Sequence, residues 1–404
     1  MTTTHKFPLQ DGYAWGQQAA LRLINSQYIK ITNSKVAHVG RVGIFGTTCN
    51  YVTVEQSHIS DTGAHGLLFL YAHSKRPIDN VVVTNNKFEG CGMTNFWQPA
   101  CIWGGAHTSM TVANNDLRGP SPTMIRINGV MPHGKAYLKG RHISALPRDE
   151  YVFHVEKNRI HDFGRSILND FGAIYIGAKG KCDAAIQPDF DQQCFVYAHI
   201  YKNMIAEGSA YRSGSAFLYS DVSSSANTFE KNVLYGKVDV AVKHHCGVEN
   251  LSKNNFVYIP RHKINATEPN SDRDRYLLGG CGKVDRFDDW ENQHNIYYVE
   301  DTTQLNVFRP FKYQITKKMH DNLWWTPKGA SFGKVNLKFW KDYTWEGFRA
   351  QGYGNGSQWA SPRFAKMSPE ELVLAPKSPA LAMGIEQINV ADIGIQAAGK
   401  YVPV

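Results

Sequence analysis

The sequence has no run of 18 or more apolar residues, so no segment reads as a helix long enough to cross a bilayer. Its opening stretch, "MTTTHKFPLQDGYAWGQQAALRL", holds no apolar signal core. The expected setting is extracellular or periplasmic, with a leading segment removed; the alternative is the cytoplasm. The net charge is +9, yet no block of five or six like charges occurs. Scattered positive charge attracts polyanions in general without forming a basic stripe, so neither nucleic acid nor membrane is expected as a partner. No two cysteines have the CxxC spacing of zinc and dithiol motifs. The seven cysteines are an odd number. Two of them, Cys182 and Cys194, flank the acidic stretch "KCDAAIQPDFDQQC". They either staple it in an oxidising compartment or serve as buried thiols. A tight carboxylate cluster of the kind that Ca²⁺ takes is also missing, and no metal or other cofactor is expected.

What the chain does have is a repeat. One template recurs: an apolar residue, two spacers, Asn, one spacer, an apolar residue. It appears in "VVVTNNKFEGCG", "MTVANNDLRGP", "FHVEKNRIHDFG", "AHIYKNMIAEGS", "NTFEKNVLYGK" and "ENLSKNNFVY". Two earlier copies, "YIKITNSKVAHVG" and "VTVEQSHISDTG", carry Ser instead. The equivalent positions are Ser34, Ser57, Asn86, Asn115, Asn158, Asn203, Asn232 and Asn254, with steps of 23, 29, 29, 43, 45, 29 and 22 residues. Roughly 20–30 residues suffice for three short strands and their bends, which is one coil of a parallel β-helix. The two long steps then hold insertions. Asn at a coil corner tolerates a left-handed backbone and, stacked on itself, forms an amide ladder.

The expected fold is therefore all-β: a single-stranded parallel β-helix over residues 1–310, with an irregular, aromatic-rich segment, 311–404, packing along or capping it as part of the same unit. The period fades after about residue 258. A monomer is expected.

A second strand follows each Asn, in "ACIWGGAH", "TMIRING", "GAIYIGA", "SAFLYSD" and "VAVKHHC". These strands, with "GLLFLYAH" before them, should lie side by side, with outward positions drawn from Tyr71, Trp103, Arg126, Tyr175, Tyr219, Asp221, His244 and His245. Aromatic rings offer sugars a flat surface, and Arg offers a carboxylate a fork. His244 and His245 are adjacent, so on a strand only one of them faces outward. All six of Trp103, Arg126, Tyr175, Tyr219, His244 and His245 are candidates for substrate binding.

Three segments carry a resemblance. "NRIHDFG…NDFGAIYIG", "SAFLYSDVSSSANTFEKNVLYG" and "LAPKSPALAMGIEQINVADIGI" resemble the right-handed parallel β-helix proteins related to glycoside hydrolase family 141, within the pectate-lyase-like superfamily. The resemblance implies hydrolysis of glycosidic bonds in a complex polysaccharide by two aspartates. By motif these are Asp170 and Asp221. Phe171, where a small residue is usual, and the Cys182–Cys194 insertion depart from the pattern.

Hydrolysis needs its two carboxyl groups within about 5–10 Å of each other. Asp170 precedes its strand and Asp221 ends the next, so strands in register hold them some 20 Å apart. Asp183, Asp189 and Asp191 are the alternative partners. The rival readings are a polysaccharide lyase working by β-elimination on an acidic polymer, and a carbohydrate-binding β-helix without catalysis.

Overall fold

The computed structural model describes residues 18–70, 78–94, 99–105, 109–128, 147, 150–164, 171–177, 194–208, 215–221, 224–236, 238–245, 247–260, 275–279, 290–300, 305–308, 318–327, 345–368 and 371–397. The chain winds into a right-handed parallel β-helix. The first coil shows the unit: Ala19–Ile24, Gln27–Thr32 and Lys35–Val39, each separated from the next by two residues. Val42–Thr47 then stacks on Ala19–Ile24 with parallel register. Repetition gives three parallel sheets of 10, 10 and 11 strands among the described residues.

The interior is a continuous apolar column. Val83, Val112 and Val155 follow one another up the second sheet, Phe88, Leu117 and Ile160 up the third, and Ile102, Ile125 and Ile174 up the first. The first sheet departs from plain alternation. Cys101 and Ile102 both belong to the main core, as do Met124 and Ile125, so the strand turns inward at two consecutive residues before resuming its period.

The corner between the second and third sheets carries the repeated Asn. Its backbone N–H and side-chain N–H both donate to the amide oxygen of the next Asn: Asn158 to Asn203 at 3.0 Å for each, and Asn203 to Asn232 at 2.9 and 3.0 Å. The same amide nitrogen also donates to a carbonyl of the coil before, as Asn203 does to Val155 at 2.8 Å. The ladder runs from Ser34 and Ser57 through Asn86, Asn115, Asn158, Asn203, Asn232, Asn255, Asn295 and Asn322 to Ser357.

Two expectations change. The rung is Asn255, not Asn254, and the period continues past residue 258. The left-handed backbone also belongs to the residue before each rung. Asn33, Gln56, Asn85, Asn114, Lys157, Lys202, Lys231, Asn254, His294 and Asp321 all have φ between 48° and 57°. The rung itself is free to point inward and bond because its neighbour makes the turn.

The C-terminal part covers two outer surfaces. The antiparallel pair Phe364–Ser368 and Glu371–Leu374, with Ile385 and Ile388, packs against Val233, Phe256, Ile296 and Leu323 on the outside of the third sheet. Beyond it, residues 386–396 run up the left-handed corner. Glu386 exchanges two hydrogen bonds with the Asn254 amide, at 2.7 and 3.0 Å. Asp392 pairs with Lys202 at 2.7 Å and Lys157 at 3.3 Å. Asn114 donates to the carbonyls of Asp392 and Gly394, and the Gln396 N–H reaches the Asn85 amide oxygen at 2.9 Å.

Candidate functional site

The outward face of the first sheet brings the candidate residues into one row. Register pairs Trp103 with Arg126, Arg126 with Tyr175, Tyr175 with Tyr219, and Tyr219 with Lys243. Because strands lie ~4.8 Å apart, each side chain meets the next along the row. The Arg126 guanidinium sits 4.4 Å from the Trp103 ring centroid and 4.9 Å from that of Tyr175. Its Nε donates to the Asn128 amide oxygen at 2.7 Å. The Lys243 ammonium lies 3.8 Å from the centroid of Tyr219, and the two tyrosine rings meet edge to face at 5.1 Å. The row thus interleaves two cations with three aromatic rings, each ring beside a neighbouring charge. All five side chains are buried.

Asp221 stands one step further along, at the end of Ser215–Ser220, anchored by its N–H to the Ile176 carbonyl at 2.8 Å. Its carboxylate receives three donors. Tyr175 donates its hydroxyl to Oδ2, Tyr219 donates to Oδ1 at 2.7 Å, and His245 Nδ1 donates to the same Oδ1 at 2.8 Å. Burial on its own raises a carboxyl pKa. Here the His245 hydrogen bond and charge, with the two phenolic hydrogen bonds, outweigh it and hold the group far below the usual carboxylate range. Asp221 is a fixed anion.

His245 and His244 part company as alternation requires, and the structure assigns their faces. His245 follows the outward face, with its N–H on the Ser220 carbonyl and its side chain 34% exposed. His244 does not reach the site. It is buried inside the helix, stacked on Phe229 at 4.9 Å, 4.5 Å from the Trp290 ring and hydrogen-bonded to the Ser252 hydroxyl at 3.2 Å. Desolvation lowers its pKa to about 3, so it is a neutral core residue and not a substrate contact.

Asp170 lies outside the described residues, as do Tyr71, Asp183, Asp189 and Asp191 and the cysteine Cys182; Cys194 begins a short strand pairing with Ser224–Ser225. Phe171 pairs with Ser215, so the strand Phe171–Gly177 begins beside the end of Ser215–Ser220 that is remote from Asp221. Among the described residues no second carboxylate adjoins Asp221, and no cluster of three metal-binding side chains occurs.

Two members of the site have no counterpart among the sequence candidates. Lys243 sits within "VAVKHHC", where its signal was its register with Tyr219. Asn128 sits two residues past Arg126, the spacing that keeps both on one face of a strand.

No family model and no curated protein matches the chain. Among solved structures, it is similar to a protein described as a glycoside hydrolase, at 15% identity and a TM-score of 0.43, over 61% of this chain and 39% of that one. It is also similar to a mutant of an alginate lyase of the PL6 family, at 11% identity and a TM-score of 0.37, over 96% of this chain and 56% of that one. The chain spans about two fifths of the first structure and just over half of the second. Likeness this distant assigns no activity. The class that the fold and this site define is a right-handed parallel β-helix bearing a buried anion beside a row of cations and aromatics.

Proposed function

We propose that this chain is a carbohydrate-active enzyme, a glycoside hydrolase acting on a polysaccharide or oligosaccharide at the Asp221 end of the first sheet. The observation that carries the proposal is the Asp221 carboxylate, held ionised by Tyr175, Tyr219 and His245 beside a half-exposed imidazole. Glycoside cleavage passes through a state with positive charge on the sugar, which a fixed anion stabilises. The buried Arg126 and Lys243 keep the phenols polarised toward that anion.

Replacing Asp221 with Asn tests the reading. The expected outcome is a loss of turnover of about 10²-fold or more with sugar binding retained, measured by reducing-end release and by calorimetry. Unchanged turnover excludes a part for Asp221 in the reaction. A polysaccharide lyase is the second reading, favoured by the two cations in the same row, since elimination from an acidic sugar calls for positive charge near its carboxylate. Product analysis separates the two, because only elimination leaves an unsaturated, ultraviolet-absorbing sugar.

A further inference from the structure

Both Asp221 oxygens are occupied, one by Tyr175 and the other by Tyr219 and His245, and the side chain is 12% exposed. A carboxylate so enclosed and so firmly ionised neither gives a proton nor presents a lone pair to a sugar carbon. The next group outward is His245. Its Nδ1 faces Asp221, and its Nε2 makes no hydrogen bond with any described residue. An ionised carboxylate only accepts, so Nδ1 carries a hydrogen and Nε2 is the nitrogen on which a second proton comes and goes.

We propose that His245 is the catalytic acid of this site and that Asp221 is the positioning residue that orients it. The proposal rests on the hydrolase reading above and deepens it. The imidazolium Nε2–H delivers its proton to the glycosidic oxygen as the carbon–oxygen bond breaks; the bonding pair stays on that oxygen, which leaves as an alcohol. A water adds to the sugar carbon, and its surplus proton returns to Nε2. Atoms balance as one glycoside and one water giving two hydroxyl products. Asp221 stays ionised throughout and stabilises the imidazolium. Tyr175 and Tyr219 fix Asp221, so the proton-carrying nitrogen is set by three side chains from the two coils that precede His245.

The test compares the wild type with His245→Gln and Asp221→Asn on 4-nitrophenyl glycosides and on the matching unactivated disaccharides. Nitrophenolate leaves without a proton, whereas a sugar alkoxide does not. H245Q should lose about 10²–10⁴-fold in kcat/KM on the disaccharides and less than about tenfold on the nitrophenyl substrates. Equal losses on both, or none on either, overturn the assignment. Nitrogen NMR of the His245 ring supplies a readout that needs no substrate. The neutral wild-type ring should carry its hydrogen on Nδ1, and D221N should shift it toward Nε2; an unaltered tautomer in D221N sinks the positioning role. A wild type that cleaves neither substrate class refutes the hydrolase reading, while the tautomer measurement still decides the dyad.

Discussion

His244 and His245 differ by one position and by almost everything else. The interior ring is enclosed by Phe229 and Trp290 and titrates near 3, while its neighbour meets Asp221 and the surface. His65, also fully enclosed, is likewise lowered to about 3 by desolvation, despite the raising effect of its bond with Ala100. An unfolded histidine titrates near 6.5, so below that pH the unfolded chain takes up protons that the folded one refuses. Stability is complete above about pH 6.5 and falls as the pH drops toward 3, by on the order of several kcal/mol for a group shifted this far. Asp221 acts at lower pH: its stabilisation is present above the ordinary carboxyl range and is lost only below about pH 4. The urea midpoint should therefore fall between pH 7 and pH 4.5, and His244→Phe should flatten that fall. An identical slope in the variant would show that His244 is not buried neutral. The sequence made plain that the two histidines face opposite ways. Which one faces the site depended on where the strand turns inward twice, at a position that plain alternation does not mark.

At the level of the corner element, each rung is bound from both sides. Asn203 accepts from Asn158 through two N–H groups and donates to Val155 and Asn232. Replacing it with Ala removes these bonds and leaves buried backbone groups without partners, each worth about 1–3 kcal/mol. Asn203→Ala should lower unfolding stability by about 3 kcal/mol or more in urea titration, whereas Asn33→Ala, on an exposed corner, should cost far less. Equal effects would mean that the ladder contributes nothing beyond the turn. The ladder was legible because its Asn recurs between apolar residues at fixed spacing. It was misplaced at Asn254 because "KNNF" offers two amides, and the sequence does not show which makes the left-handed turn. It was lost at Asn295 because Asn292, hydrogen-bonded to the Tyr297 hydroxyl, stands where the template has an apolar residue. The candidate row was legible for the same reason: strands of equal length with aromatics at one end. Lys243 escaped because a lysine beside two histidines reads as solvated surface until Tyr219 is found beneath it.

For the molecule as a whole, the C-terminal run ties together coils far apart in sequence. Its charged clamp is Asp392 between Lys157 and Lys202. Burial raises the Asp392 pKa, but the hydrogen bond and charge of Lys202, with Lys157, more than offset it and lower the group. That contribution is present above the ordinary carboxyl range and lost as the pH falls through the depressed value. Relative to the intrinsic amide exchange rate at each pH, protection in residues 386–396 should fall between pH 7 and pH 3 more than protection in the third sheet. Asp392→Asn should give the lower protection already at pH 7. No difference between the run and the sheet would mean that the clamp carries no load.

The same run sets a limit on how this fold can change. Between Glu386 and Gln396 it passes the corners of Asn254, Lys231, Lys202, Lys157, Asn114 and Asn85, five coil heights of ~4.8 Å. A loop lengthened within any coil leaves those corners where they are. A whole coil gained or lost between Asn85 and Asn254 displaces the corners beyond it by one height, about two residues of the run, and its amide and lysine partners no longer meet. The tail works as a gauge laid along this part of the solenoid: it leaves the lengths of the insertions open and fixes the number of turns it spans.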